Sequence, residues 1–364
     1  MTWPSAGQAP HNNVVGIDPQ LRDPEHGDFR PAPGSPAIGY GCQTFPAEPR
    51  PTALLAWDAD GQVQPSEKSG SRRLDVSGDI TSDTVWGADT VRVVGEVTVL
   101  GGVTLGIASG VRVVFGDYFA LTIAGRLLAI GTPEAPIRFD SANPDVWAPD
   151  STTAGSWGGI RFDGTSESLG PSRLEWCELT HAKGVGARRK GGALSLIDCS
   201  GLRVRNCVFT ANAAEYGAVL FCEHMANPVV SGSLLQGNSA FTAGSAVYGI
   251  DSYPRLFENT IVSNACLNAE YMYDTGVIHN HLSKAWVAGN IVYGNTSSYF
   301  IPLQIREAKP FCVRHSDVQY GIDGEGDFDA DPLFTGSGPH PFRLSAGSPC
   351  RNAGPTDTTG IRLL

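Results

Sequence analysis

A repeat of 26 to 31 residues occupies the middle of the chain and limits the folds open to it. Two sets of apolar residues recur, and each member of the first set lies five residues before its counterpart in the second. The first set is Leu174, Val204, Val230, Leu256, Val287 and Val313, and the second is Leu179, Phe209, Leu235, Ile261, Val292 and Val318. Successive members are 30, 26, 26, 31 and 26 residues apart. This periodicity predicts a solenoid in which each coil packs on the next.

The segments within each repeat alternate apolar and polar residues, as in Leu194-Ser195-Leu196, which is the period of a β-strand. Most of the steps are too short for a strand–helix–strand unit. An asparagine closes the third segment of four repeats, where it tolerates a left-handed corner and can bond to its neighbours when stacked. These residues are Asn212, Asn238, Asn264 and Asn295. The sequence therefore predicts an all-β fold, a right-handed parallel β-helix with three short strands per coil and irregular terminal segments.

Several motifs resemble those of known β-helix proteins. GGAL at 191–194 and FTAN at 209–212 resemble the tetrapeptides of polymorphic outer-membrane adhesins. The stretches 97–117 and 155–164 resemble the first coils of secreted bacterial pectate-lyase-like proteins. The resemblance implies a right-handed parallel β-helix over roughly 75–350. It does not imply one activity, because this fold carries lyases, hydrolases, epimerases, adhesins and inert stalks.

The two ends of the chain share a second, longer-range repeat. Residues 17–38 and 330–351 both contain a D-P, F-R and G-S-P series, offset by 313 positions except for a one-residue slip that pairs Leu21 with Leu333. The predicted organisation is a closing-type segment at 1–45, a linker or arm at 46–74, the β-helix at 75–322 and a C-terminal closing segment at 323–364. Two interpretations stand: the chain is one unit of a tandem array, or residues 1–45 are an extra cap.

Charge and composition restrict the partners. The chain has 364 residues and a net charge of −11, which argues against nucleic acid as a partner. No apolar run approaches the ~18 residues of a membrane span. The start of the sequence has no signal peptide, and the resemblance implies a secreted or cell-surface protein. The 8 cysteines occur singly, so no zinc site is indicated and the metal prediction is none.

Candidate chemistry lies at the carboxyl end of the first strand of each repeat. We expect Leu194, Val219, Val247, Val277 and Leu303 to stack inward there, which places five polar side chains in one column on adjacent coils. These catalytic candidates are Asp198, Glu223, Asp251, His281 and Glu307. Such carboxylates could cleave a glycosidic bond or bind a cation, with calcium the candidate cofactor, or they could form a solvated acidic turn.

Other side chains are candidates for holding a substrate. Aromatic and polar side chains near the column suit stacking and hydrogen bonding to sugars, and the residues are Tyr248, Tyr271, Tyr273, Gln304 and Arg306. His279 is expected in an inward column with Leu196. The basic segment 183–190 could contact a uronate carboxylate or form an exposed loop.

The predicted function is engagement of an extracellular polysaccharide or cell-surface glycan. One alternative is a polysaccharide lyase or glycoside hydrolase that works along the 191–307 strand column. A second is a non-catalytic structural or adhesive repeat unit. The sequence carries none of the motifs of polygalacturonase-like hydrolases and no G-x-S-x-G elbow, so it leaves open whether the protein is an enzyme.

Overall fold

The computed structural model describes residues 21–23, 28–31, 73–165, 167–268, 276–298, 304–306, 313–338 and 340–355. The chain divides into two units, Met1–Arg50 and Pro51–Leu364. The first unit contains an antiparallel pair of strands, Leu21–Asp23 and Asp28–Pro31. The predicted linker at 46–74 lies outside the described residues except for its last two positions.

The second unit is a parallel β-helix, which confirms the predicted fold class. Nearly all its ladders are parallel, and each strand pairs with the equivalent strand one coil earlier and one coil later. The coil has three main faces. Two long strands at the start, Arg73–Ile80 and Thr90–Val99, run from face 3 across a corner into face 1.

Each face is a ladder of short strands. Face 1 contains Leu121–Ile123, Ile160–Asp163, Leu194–Ile197, Leu220–Glu223, Val247–Ile250, Ile278–His281 and Ile305–Arg306. Face 2 contains Thr84–Trp86, Thr104–Ile107, Arg126–Ile130, Arg173–Glu175, Arg203–Arg205, Val229–Ser231, Arg255–Phe257, Trp286–Ala288 and Val313–Arg314. Face 3 contains Arg112–Phe115, Ile137–Ser141, Cys177–Thr180, Val208–Thr210, Leu234–Gln236, Thr260–Val262, Ile291–Tyr293 and Asp317–Val318.

Five coils add a fourth short strand between face 3 and face 1 that the sequence did not predict. The members of this corner sheet are Lys183–Gly184, Ala213–Tyr216, Ser239–Ala243, Ala265–Cys266 and Thr296–Ser297. Short 3₁₀ helices lie in connecting loops, and those within the described residues are Pro144–Val146, Glu167–Leu169 and Gly186–Arg188. No helix among the described residues is long and apolar enough to span a membrane.

The core runs through the coils as stacked columns of apolar side chains. The two apolar sets found in the sequence pair residue for residue, the first on face 2 and the second on face 3. All their members are at most 3% exposed. The described cysteines, Cys177, Cys199, Cys207, Cys222, Cys266 and Cys350, are free thiols, and all but Cys350 are buried in the same way.

Corners between the faces repeat with the coils. Between face 2 and face 3, one residue of each coil has positive φ, and these residues are Trp176, Asn206, Gly232, Glu258, Gly289 and His315. After face 3, the predicted asparagine ladder is present. The side-chain amide of Asn212 donates to Asn238 at 3.0 Å, Asn238 to Asn264 at 2.9 Å and Asn264 to Asn295 at 2.9 Å. Asn259 and Asn290 form a second ladder at the preceding corner, at 2.9 Å.

The two closing segments each pair two backbone positions, and the paired positions are equivalent in the two segments. Leu21 pairs with Pro31 in the first segment, and Phe334 forms an antiparallel bridge with Leu344 in the second. Both positions differ by 313, since 334 − 21 and 344 − 31 give the same number. The structure therefore aligns Leu21 with Phe334, and the one-residue slip to Leu333 in the sequence alignment was wrong.

Candidate functional site

The register of face 1 differs from the one predicted. Leu194 pairs with Leu220, which pairs with Val247, Ile278 and Ile305 in turn. Val219 and Val277, expected in this column, precede it by one residue, and Leu303 lies outside the described residues. Both misplaced repeats carry two adjacent apolar residues, Val219-Leu220 and Val277-Ile278, so alternation cannot set the phase.

The predicted column of five polar residues is consequently two different columns. Glu223 and His281 end their strands in register with Ile197 and Ile250. Asp198 and Asp251 lie one position later, at the corner, where both have positive φ. His224 occupies that corner position on the coil between them, so adjacent coils do not bring carboxylates together. Glu307 lies outside the described residues.

The environments of these candidates differ. Glu223 is largely buried, and its carboxylate accepts a 2.6 Å hydrogen bond from the ammonium group of Lys190. Asp198 is exposed and lies 3.9 Å from the ring of His224. Asp251 and His281 are also exposed. Among the described members of this set, no two carboxylates occupy adjacent positions of one column, so the register does not form the carboxylate pair of a glycosidase.

The structure does not bring the predicted substrate-binding residues together in one site. Gln304 is 4% exposed, and its side-chain oxygen accepts from Asn295 at 2.9 Å, so it ends the asparagine ladder inside the coil. Arg306 pairs with His279 on face 1. Tyr271 and Tyr273 lie outside the described residues. Tyr248 is half-buried and belongs to a row of aromatic side chains.

This aromatic row runs across three coils on the outer side of face 1. Phe221 and Tyr248 stack with ring centres 5.8 Å apart, and Tyr248 stacks on His279 at 4.7 Å. His279 therefore points outward, and its predicted inward placement with Leu196 was wrong. The backbone passes close to this row at Gly244. At Gly244, where φ is +70°, a Cβ atom would lie 2.7 Å from the Cβ of Tyr248, so only glycine fits.

His279 is an uncharged histidine within this row. Its side chain is 6% exposed, and Nδ1 is buried without a hydrogen-bond partner. Burial, together with the nearby charges of Arg306 and His281, lowers the pKa of His279 to about 4. The ring thus stacks as a neutral aromatic at neutral pH.

The basic segment 183–190 is buried at its start and exposed at Arg189. Lys183 is completely buried, and its ammonium group donates to a carboxylate oxygen of Asp150 and to the carbonyl of Thr152, both at 2.8 Å. The hydrogen bonds from Lys183 and Thr152 lower the pKa of Asp150 to about 2. Arg188 pairs with Glu96 at 2.7 Å. These cations are therefore already neutralised by the protein.

A groove of about 830 Å³ lies beside the corner sheet, near these residues. Its floor is built from two repeated positions, three and four residues after a ladder asparagine. They are Glu215 and Tyr216 after Asn212, Phe241 and Thr242 after Asn238, and Leu267 and Asn268 after Asn264. Pro149, Asp150 and Ser151 form the wall. The sequence analysis missed this groove, although the constant offset from the asparagines was a usable signal.

The groove combines aromatic rings with polar groups. Tyr216 is half-buried and meets Tyr248 edge to face at 5.2 Å, so the groove adjoins the aromatic row. Glu215 lies 3.7 Å from Arg189. The arrangement can stack a ring and accept hydrogen bonds from hydroxyl groups.

A metal site is not formed by the described residues. Among them no three histidine, cysteine, aspartate or glutamate side chains converge. The acidic turn 323–327 contains Asp327, whose Oδ1 accepts from the backbone of Ser316 at 2.8 Å. Burial raises the pKa of Asp327, which opposes the ionised form that calcium would need.

Fold and site together define a parallel β-helix solenoid with an aromatic groove on its side. The chain matches no protein-family model, no curated protein sequence and no solved structure. The class of the protein therefore rests on its own residues and topology.

Proposed function

We propose that the protein binds a glycan in the groove beside the corner sheet and does not cleave it. The observation that carries this proposal is the lining of the groove, in which Tyr216 and Phe241 lie on neighbouring coils and Tyr216 is in register with Ala243, two residues after Phe241. Aromatic faces spaced along a groove suit consecutive sugar rings. The resemblance of GGAL and FTAN to adhesin repeats agrees with a binding role outside the cell.

The electrostatics favour binding over hydrolysis. A glycosidase needs one carboxyl group that is protonated near neutral pH. Asp150, at the groove wall, has a pKa of about 2 and stays ionised. The carboxylate of Glu223 forms an ion pair with the ammonium group of Lys190. The negative net charge and the groove carboxylates favour a neutral sugar, whose hydroxyl groups can donate to Asp150 and Glu215.

The test is calorimetric titration with a panel of neutral and acidic oligosaccharides. We expect a neutral oligosaccharide to bind, and Tyr216→Ala and Phe241→Ala each to weaken its affinity by about threefold to tenfold, since stacked rings contribute roughly 0.5–1.5 kcal/mol. Tyr320→Ala is the matched control, because it removes an exposed tyrosine at the C-terminal end of the β-helix.

Thermal melting of each variant separates lost folding from lost binding. Incubation with the same panel should release no reducing ends and no unsaturated uronates. Sugar cleavage would contradict the non-catalytic proposal, and equal affinity of Tyr216→Ala, Phe241→Ala and the wild type would remove the groove as the site.

A further inference from the structure

The outer side of face 2 carries a concentration of arginine that is unusual for this acidic chain. Of the 26 basic residues 5 are lysine and 21 are arginine, and six of the arginines lie on the described strands of this face. Arg126 is buried, and the other five are Arg173, Arg203, Arg205, Arg255 and Arg314. Glu175 is the one carboxylate on the described strands of face 2, and it accepts a 2.8 Å hydrogen bond from Arg173.

The register aligns these side chains into columns. Arg173 pairs with Arg203, Arg203 with Val229, Val229 with Arg255, and Arg255 with Trp286. Because coils are about 4.8 Å apart, Arg203 and Arg255 lie about 9.6 Å apart along the axis.

Three of these guanidinium groups form no ion pair with the described residues, although Arg205 lies in register with Glu175 on the preceding coil. Arg203 and Arg205 are exposed, Arg255 is half-buried, and no carboxylate of the described residues lies within ion-pair distance of any of them. Like charges at adjacent positions of a sheet repel each other. An anion bound across the face would relieve this repulsion.

The edges of the face confine the positive charge to a track along the solenoid. Asp198 and Asp251 are exposed at the corner where each coil enters face 2, and Glu258 is exposed at the corner where it leaves. Trp286 is 44% exposed at the end of the arginine column, with the guanidinium of Arg314 5.7 Å from its ring centre. The track therefore ends on a flat apolar surface.

We infer that face 2 binds an extended anionic polysaccharide whose carboxylate or sulfate groups pair with Arg203, Arg205 and Arg255. Guanidinium groups bind such oxyanions with two parallel hydrogen bonds. The two-coil spacing from Arg203 to Arg255 suits acidic groups on alternate sugars of an extended chain, and Trp286 offers a ring for a sugar to stack on. The phosphates of each strand of a B-form duplex advance by about 3.4 Å along the helix axis, which is out of step with coils at about 4.8 Å.

The experiment measures binding of the full chain to polygalacturonate and to a sulfated glycosaminoglycan across a range of salt concentrations. We expect Arg203→Gln/Arg255→Gln to weaken affinity at least tenfold at low salt and to reduce the slope of log K against log salt. Arg343→Gln/Arg351→Gln, which removes the same charge from exposed positions of the closing segment, is the control and should change affinity less than twofold.

A gain of function tests the column itself. Val229→Arg completes the row from Arg173 to Arg255 and should tighten binding severalfold. Trp286→Ala should weaken binding to the polysaccharides. Unchanged or weaker binding by Val229→Arg, or equal losses in the two double variants, would overturn the assignment of the track.

Two further probes test the class of partner. A single-stranded oligonucleotide and vesicles rich in anionic lipid should bind more weakly than either polysaccharide at equal salt, and tighter binding of either would overturn the inference. Tyr216→Ala should leave polyanion binding intact, and Arg203→Gln/Arg255→Gln should leave binding in the groove intact. Failure at one site is thus distinguishable from failure at the other.

Discussion

At the scale of the residue, burial decides the chemistry of the side chains that the sequence singled out. Lys183 looks like part of an exposed basic loop but is completely buried against Asp150. Gln304 looks like a sugar ligand but ends the asparagine ladder. His279 is held neutral inside an aromatic stack.

His279 should make the stability of the protein sensitive to acid. Its folded pKa of about 4 lies below the ordinary value of 6.5, so its contribution is fully present above pH 6.5 and is lost as the pH falls toward 4. By linkage the wild type should lose on the order of 2 kcal/mol at pH 5 from this group. Chemical denaturation of His279→Phe should show a smaller loss between pH 7.5 and pH 5. An identical pH dependence in both proteins would contradict the assignment.

At the scale of the element, side-chain ladders at the corners hold the strands in register. The amide of Asn238 is fully buried, donates to Asn264 and to the carbonyl of Phe209, and accepts from the backbone N–H of Asn212. Each corner thus satisfies polar groups that a tight turn would otherwise bury without partners.

Asn238→Ala should be strongly destabilising, because it leaves several buried donors and acceptors unpaired. We expect a loss of about 2–4 kcal/mol in the free energy of unfolding, measured by urea denaturation. Asn227→Ala, at a half-buried corner where the side chain accepts one hydrogen bond from Gly201, should cost about 1 kcal/mol. Equal losses in the two variants would mean that stacking of the amides adds nothing.

At the scale of the whole molecule, each coil is stabilised by its neighbours. The core is one continuous cluster from Trp86 to Val318. In such a solenoid, stability depends on the interfaces between adjacent repeats, and damage in one coil spreads to the next.

Val247→Asp should unfold several coils together. Val247 is 0% exposed and lies between Leu220 and Ile278, so the charge would be buried without a partner at a cost of several kcal/mol. Hydrogen exchange should show lost protection in the strands 220–223 and 278–281. Val94→Asp, at a position 43% exposed, is the control and should change stability by less than about 1 kcal/mol. Loss confined to the strand 247–250 would argue against coupling between coils.

The sequence by itself determined the β-helix, the two apolar columns of faces 2 and 3 and the asparagine ladder. Each of these repeats with a constant offset, and a solenoid translates sequence period directly into spatial stacking. Only the tertiary structure decided the phase of face 1, because Val219-Leu220 and Val277-Ile278 satisfy two registers equally well. It also decided the groove and the arginine track, because both depend on which outward side chains of several coils stay accessible and which are paired within the protein, and the repeat does not specify this.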